Sequence, residues 1–429
     1  MRDILITAFI FIILPFIFKR PYIGLLLWSW MGYMSPHRLA YGFAYSFPFI
    51  MIISLITVVS TFGSDDDKSV PLTPVTKLMG FLLFWMVITT IFSLVPQYSS
   101  IELERVVKIQ AMILITLMVM KKKERIIWLV WVIVIGIGFY GVKGGLFAIA
   151  TGGKHLIWGP PGSFLFGNNE IAFAFCMVLP LMRFLQINSK NILVRRGMII
   201  AITLTVASVI TSYSRGALLA LSMMGLFLIL KSRQRLKLIF IVFCLAVAIV
   251  NLAPEKWFSR MNTIQTYEDD GSALGRINSW YFAINLANDR PLVGGGFASF
   301  DWKLFRIYAP EPRNYHDAHS IYFEMLGEHG YVGLITFLLI LWFSWRTGNW
   351  VIRETRGKEE WVWASDLAAM IQVSLIGYMT GGAFLGLAYL DLPYQLMAML
   401  VILQYLVRKG GAAESPIKKK NILERLLDV

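Results

Sequence analysis

Long apolar runs cut by short polar breaks set the pattern of this chain. The runs fall near 4–18, 22–34, 47–62, 78–95, 106–120, 126–149, 168–187, 197–213, 216–230, 236–252, 320–345, 367–387 and 392–407. A helix needs roughly 20 apolar residues to cross a bilayer, and fewer when flanking side chains snorkel. The first two runs are short and split by Lys19, Arg20 and Pro21, so one broken crossing and a shallow hairpin both fit. The pattern predicts an all-α, polytopic membrane protein with about twelve crossings, or one more if the first two runs cross separately.

The breaks carry the orientation. Lys121 to Arg125, Lys190 with Arg195 and Arg196, Lys231 to Lys237, Arg346 to Lys358, and the tail with Lys418, Lys419 and Lys420 are short and basic. They share one side if the runs alternate, and an excess of Lys and Arg marks the cytoplasmic side. Residues 96–104, 151–167, the turn at 213–216 and one long loop, 254–318, then face outward. That loop holds seven Lys/Arg and eight Asp/Glu, so it is nearly neutral, and it is too rich in aromatics to be a disordered linker. Within it Ile277, Trp280, Tyr281 and Ile284 have helical spacing, which predicts an amphipathic helix on the membrane surface opened by Arg276. Gly294 to Gly296 reads as a flexible turn. Asp65 to Lys68 reads as a solvated loop, and residues 410–429 as a basic tail at the membrane surface.

Composition agrees with this architecture. The chain is 57% hydrophobic and only 15% charged, with fourteen Trp and seventeen Tyr, suited to two membrane interfaces. The net charge of +14 is explained by the basic loops, so no nucleic-acid partner is implied. Cys176 and Cys244 both lie inside apolar runs and read as buried thiols. The first run lacks a strongly basic start and a small-residue cleavage site, and reads as retained.

Candidate chemistry is confined to a few polar stretches. Arg215 stands where one apolar run ends and the next begins. Ser214 can cap the second helix and put Arg215 in its first turn. An arginine there either snorkels to the interface or grips an anion, since guanidinium makes paired bonds to phosphate. Arg276 is either a solvated loop arginine or a second anion ligand on the same side. Asp317 can cap the helix after it and place His319 in the first turn, where the dipole disfavours imidazolium and leaves a proton acceptor. Asn168, Asn169 and Glu170 either cap the seventh run or touch a sugar or phosphate. His316, His319, Glu324, Glu328 and His329 invite a metal reading, but neither HExxH nor paired cysteines complete a set; the expectation is no metal site.

The stretches Thr211–Ala217, Arg276 with Trp280 through Gly296 and Phe297, and His319 to Gly330 resemble, in order, the core of the O-antigen ligase superfamily, over roughly 168–341. The superfamily includes O-antigen ligases, polysaccharide polymerases and protein O-oligosaccharyltransferases. The N-terminal stretches Arg20–Gly24, Trp28–Trp30, Ser35–Arg38 and Tyr45–Pro48 resemble the exosortase-associated O-glycosylation ligases. One departure is Ser320, where many members carry Asn after the histidine. The resemblance implies three parts: N-terminal helices over 1–167, a ligase-like core over 168–345, and C-terminal helices with the basic tail over 346–429.

The resemblance also implies a GT-C-type glycosyltransferase in the bacterial inner membrane with a periplasmic site. The donor would be a glycan on undecaprenyl pyrophosphate and the acceptor a sugar hydroxyl of lipid A–core, with no cofactor, nucleotide sugar or metal. The expected catalytic residues are His319, Arg215 and Arg276. Ser214, Asn169, Trp280 and Tyr322 join the two arginines as expected substrate contacts. A polymerase or a protein-glycosylating enzyme would need the same donor clamp and base. A lipid-linked glycan transporter is the non-enzymatic alternative. Transporters place charges near the bilayer midplane, whereas here the polar stretches gather at one face. The sequence leaves the oligomeric state open.

Overall fold

In the computed structural model the described residues are 1–231, 235, 236, 239, 240, 242–244, 255, 257, 258 and 271–413. Most of the run at 236–252, part of the long loop and the tail beyond 413 lie outside them. No strand occurs among the described residues. The helices are α1 (Arg2–Lys19), α2 (Pro21–Met34), α3 (Phe49–Gly63), α4 (Pro74–Ile91), α5 (Pro96–Val119), α6 (Lys123–Thr151), α7 (Asn168–Asn188), α8 (Ile192–Thr211), α9 (Arg215–Lys231), α10 (Gly271–Asp289), α11 (Trp302–Tyr308), α12 (Ile321–Glu354), α13 (Val362–Gly381) and α14 (Asp391–Ala413). Proline at the first position opens α2, α4 and α5, where the missing N–H removes no helical bond. Thr73 and Thr76 form a reciprocal capping box ahead of α4.

Among the described helices, six are long and apolar enough to cross a membrane: α4, α6, α7, α8, α12 and the segment Glu359–Phe384 that contains α13. The protein is thus a multi-pass membrane protein. The six differ in placement. The apolar window of α7 is 83% buried inside the protein, against 22% for α8 and 28% for α4, so α7 is the axis of the bundle and the other two present apolar side chains outward. Small residues let α6 and α8 approach closely. A Cβ on Gly145 would lie 2.2 Å from the Leu204 carbonyl oxygen, and the Ser208 hydroxyl donates to the Gly141 carbonyl at 2.6 Å. Without a hydrophobic force between helices in lipid, such contacts hold a bundle together.

Several expectations are corrected. The run at 320–345 continues to Glu354 and breaks at Gly330, whose φ of 66° and ψ of −169° are not helical. The break frees backbone groups that need partners. Gly295 and Gly296 donate to the carbonyls of Gly327 and Glu328 at 2.8 and 2.9 Å, Tyr331 N–H donates to the Pro291 carbonyl at 2.9 Å, and the Trp85 indole donates to the His329 carbonyl at 3.2 Å. Gly294 to Gly296 is therefore a clamped strap across the kink rather than a flexible turn. Asp65 to Lys68 is not merely solvated: Arg125 forks onto Asp66 at 2.7 and 3.1 Å, and Lys121 pairs with Asp67 at 3.0 Å. Cys176 is buried but Cys244 is exposed. The loop helix does form, as α10, yet its buried stripe is Gly275, Asn278, Ser279, Phe282, Ala283, Leu286 and Ala287. Tyr281, expected on the apolar face, is 53% exposed. Small and amide side chains win the inner face because α12 and the loop before it pack there.

Candidate active site

The turn between α8 and α9 is built by its own short polar side chains. Ser212 N–H donates to the Val209 carbonyl at 3.3 Å, and Tyr213 takes a left-handed φ of 61°, which reverses the chain. The Ser212 hydroxyl accepts from Ser214 N–H at 3.2 Å. The Ser214 hydroxyl accepts from Ala217 N–H at 3.3 Å, and its carbonyl from Leu218 N–H at 3.0 Å. Ser214 thus caps α9, and Arg215 is the first helical residue. Two outside bonds fix the turn: Asn168 Nδ2 donates to the Ser212 carbonyl at 2.9 Å, and the Tyr213 hydroxyl donates to the Gly153 carbonyl at 2.8 Å. The cap preceding α7 is Gly167, and it makes no side-chain bond, so the asparagines are not its caps.

Arg276 lies in the second turn of α10 rather than at its opening, because the helix already starts at Gly271. The next turns of α10 hold the loop that leads to His319. Asn278 Nδ2 donates to the carbonyls of Glu311 and Asn314 at 2.9 and 2.7 Å, and its Oδ1 accepts from Glu311 N–H at 2.9 Å. The Ser279 hydroxyl donates to the His316 carbonyl at 3.1 Å. The Trp280 indole donates to the Ala318 carbonyl at 3.0 Å. A Cβ on Gly275 would come within 2.4 Å of the His316 ring. The loop is therefore laid along the inner face of α10.

His319 comes just before α12, with a left-handed φ of 43°. The cap of α12 is Ser320, whose hydroxyl makes no capping bond, so neither Asp317 capping nor a first-turn position holds. The imidazole is nonetheless held below its ordinary value. Burial is the main cause, the Arg276 charge the second, and Asp317 acts in opposition. Left-handed backbone at a non-glycine residue is strained by roughly 1–3 kcal/mol and persists where surroundings impose it. Tyr213 and His319 both show it.

An open cleft of about 360 Å³ gathers Asn169, Ser214, Arg215 and Arg276, with Tyr213 and Phe384 among its walls. Two helices far apart in sequence thus each place an arginine on the lining of one space. His319 lies off the lining, beside Arg276. Trp280 and Tyr322 take other places. Trp280 stacks on Phe323 with ring centres 5.0 Å apart, and the Tyr322 hydroxyl donates to the Met379 carbonyl at 2.9 Å. Both tie elements together behind the cleft. Sequence reasoning missed Gly381, Phe384 and Leu385, which bring the end of α13 into the cleft; the Gly381-Gly382 pair interrupting an apolar run was the available signal. Among the described residues no group of three or more His, Cys, Asp and Glu converges as a metal ion requires. Glu328 and His329 instead share Tyr389: its hydroxyl is 2.5 Å from Glu328 Oε2 and 2.9 Å from His329 Nε2.

Residues 199–338, which carry Arg215, Arg276 and His319, match the family model described as O-antigen ligase. This stretch is the part of the chain that carries an O-antigen ligase signature. Residues 1–190 match a second model, described as a family of unknown function, DUF5935. No curated protein matches the chain. Members of that family are glycosyltransferase-like ligases and polymerases, which supports an enzyme of that broad kind in a membrane. The matched segment contains the α8–α9 turn and Arg276 of α10, while α7 and the end of α13, outside it, supply the rest of the cleft lining.

Proposed function

We propose that the protein is an O-antigen ligase that moves a glycan from undecaprenyl pyrophosphate to a sugar hydroxyl of lipid A–core. It works on the periplasmic face of the bacterial inner membrane, in a GT-C-type architecture. The observation that carries the reading is the meeting of Arg215 and Arg276 at one cleft with His319 beside Arg276. Two fixed cations suit a diphosphate, and bidentate guanidinium contacts are the strongest form of that recognition.

The step is a single displacement with inversion. The acceptor hydroxyl oxygen bonds to the anomeric carbon as the bond from that carbon to the pyrophosphate oxygen breaks. The electron pair leaves with undecaprenyl pyrophosphate, where Arg215 and Arg276 stabilise the growing charge, a role divalent metals fill in many transferases. The acceptor proton passes to the neutral imidazole of His319. A positioned base contributes typically about 10²–10⁴-fold. Ser214 and Asn169 border the same space and orient the donor.

The test uses purified protein, a lipid-linked glycan donor, chelator, and lipid A–core, a second lipid-linked glycan or a protein as acceptor in separate reactions. A mass increase on lipid A–core that is lost in Arg215→Ala, Arg276→Ala and His319→Ala is the expected result. Extension of the lipid-linked glycan alone would reassign the protein as a polymerase. Movement of donor across vesicles without covalent transfer would make it a transporter, and activity abolished by chelator would bring back a metal.

A further inference from the structure

The helix α6 links two differently charged ends of the molecule. Its last turn leads to Gly153, bonded by Tyr213 of the cleft wall. Its first residue is Lys123. Twenty-nine helical residues rise by about 43 Å at 1.5 Å each, which is the full depth of a bilayer with its headgroups. The start of α6 is therefore at the membrane face opposite the cleft.

A second cavity, of about 420 Å³, opens there between the ends of α5, α6 and α14. Four cationic side chains line it, Lys121, Lys122, Arg125 and Lys409, against the two carboxylates Asp66 and Asp67. The carboxylates are spoken for. Arg125 forks onto Asp66, and Asp67 holds Lys121 and accepts from the Tyr405 hydroxyl, each at 3.0 Å. Hydrogen bonding, from Arg125 to Asp66 and from Ser69 first to Asp67, keeps both acids below the ordinary carboxylate range. Lys122 and Lys409 are exposed and make no ion pair among the described residues. Four cations less two carboxylates leave a surplus of two positive charges facing one cavity.

The same end carries an interfacial belt. Lys123 lies over the Trp363 ring at 5.2 Å and Arg408 over Trp350 at 5.0 Å, and such tryptophans sit at headgroup level. We propose that this cavity binds the phosphate headgroup of an anionic phospholipid, with Lys122 and Lys409 as its ligands. Arg125 and Lys121 build the floor by anchoring the 66–69 loop, and Tyr405 and Met118 face the glycerol and upper acyl chain. Basic pockets between membrane helices on the side rich in Lys and Arg suit this ligand chemistry.

Short-chain phosphatidylglycerol titrated into the detergent-solubilised full chain, with native mass spectrometry as readout, tests the assignment. Phosphatidylcholine and inorganic phosphate form the other two arms. Each lysine near an anionic surface is worth about fivefold, so the double variant Lys122→Gln, Lys409→Gln should bind roughly 30-fold more weakly. The control Arg195→Gln, Arg196→Gln removes two exposed charges from the start of α8 and should bind as the wild type does. Equal binding by the Lys122/Lys409 variant would overturn the site. Equal retention of phosphatidylcholine would show that charge does not select the ligand and would also overturn it. Displacement of phosphatidylglycerol by inorganic phosphate at matching concentration would assign the cavity to a free anion instead of a lipid.

Discussion

Asn278 tests whether α10 positions the base. Its side chain is 5% exposed and makes three bonds to the loop before His319: two donated to Glu311 and Asn314, one accepted from Glu311. Each is worth about 1 kcal/mol net, so Asn278→Ala should weaken the loop's attachment by about 3 kcal/mol. That raises the population of the detached loop by about two decades. The bonds from Ser279 and Trp280 remain, so the bundle itself should stay folded. Hydrogen exchange would show the change directly, as faster exchange of the amides between 309 and 319. A base displaced by about 1 Å costs on the order of 10²-fold in rate. The expected kinetic result is therefore a kcat lowered about 10²-fold with the donor KM nearly unchanged, because Arg215 and Arg276 are untouched. Asn278→Asp, which keeps only the acceptor, should fall between. If the loop exchanged faster while kcat stayed at the wild-type value, His319 would not be the positioned base.

The remaining predictions concern pH, packing and the buried acid. His319 lies below the ordinary imidazole value near 6.5, so transfer should be flat from about pH 8 down to that value and fall only below it. Arg276→Gln removes the second cause of the depression, and the imidazole titration followed by NMR should move to higher pH; movement to lower pH would refute the assigned cause. The depression has the matching sign in stability: full above the unfolded value, and lost as pH falls through the folded one. Gly145→Ala places a Cβ 2.2 Å from the Leu204 carbonyl oxygen, which forces α6 and α8 apart and should cost about 1–3 kcal/mol, and an unchanged melting temperature in detergent would disprove the close approach. Glu328→Leu strips the acceptor from Ala298 N–H and Tyr389 O–H and should destabilise by about 1–3 kcal/mol per orphaned donor, while Glu328→Gln should keep most of the stability; equal melting of the two would show that the acceptor does nothing.

The apolar pattern was enough to predict an all-helical membrane bundle, because lipid forces backbone groups to be satisfied within helices. The polar breaks also singled out Arg215 and Arg276, and the structure sets both on the lining of one cleft. The Ser214 cap followed from local rules, and the structure shows it. What failed were inferences from spacing alone. Asp317 reads as a cap, but His319 goes left-handed and Ser320 becomes the cap, an outcome fixed by the grip of α10 on the loop. Ile277 and Tyr281 read as an apolar stripe, but the inner face of α10 belongs to Asn278 and Ser279, which bond to backbone no local pattern reveals. The walls at Phe384 and Leu385 come from a segment more than 160 residues after Arg215, and only tertiary packing brings them in.

Ionisable groups within a membrane helix are functional by default, and Glu328 and His329 show what satisfies them here. Glu328 Oε1 accepts from Ala298 N–H at 2.7 Å and Oε2 from the Tyr389 hydroxyl at 2.5 Å. His329 reaches Tyr389 with Nε2 and the Thr89 hydroxyl with Nδ1, the latter at 2.7 Å, and Phe297 packs edge-on to both rings. The partners of these two α12 residues come from three other segments: α4, the residues just after the glycine strap, and the loop before α14. The cluster is thus a polar knot that holds α12 and those three segments together at the Gly330 kink. Glu324, one turn earlier, accepts from Ala388 N–H at 3.0 Å and ties the same loop, whose other end supplies Phe384 and Leu385 to the cleft. The acids of α12 therefore act on the site through the backbone they hold, and the charges facing the cleft itself are the two arginines.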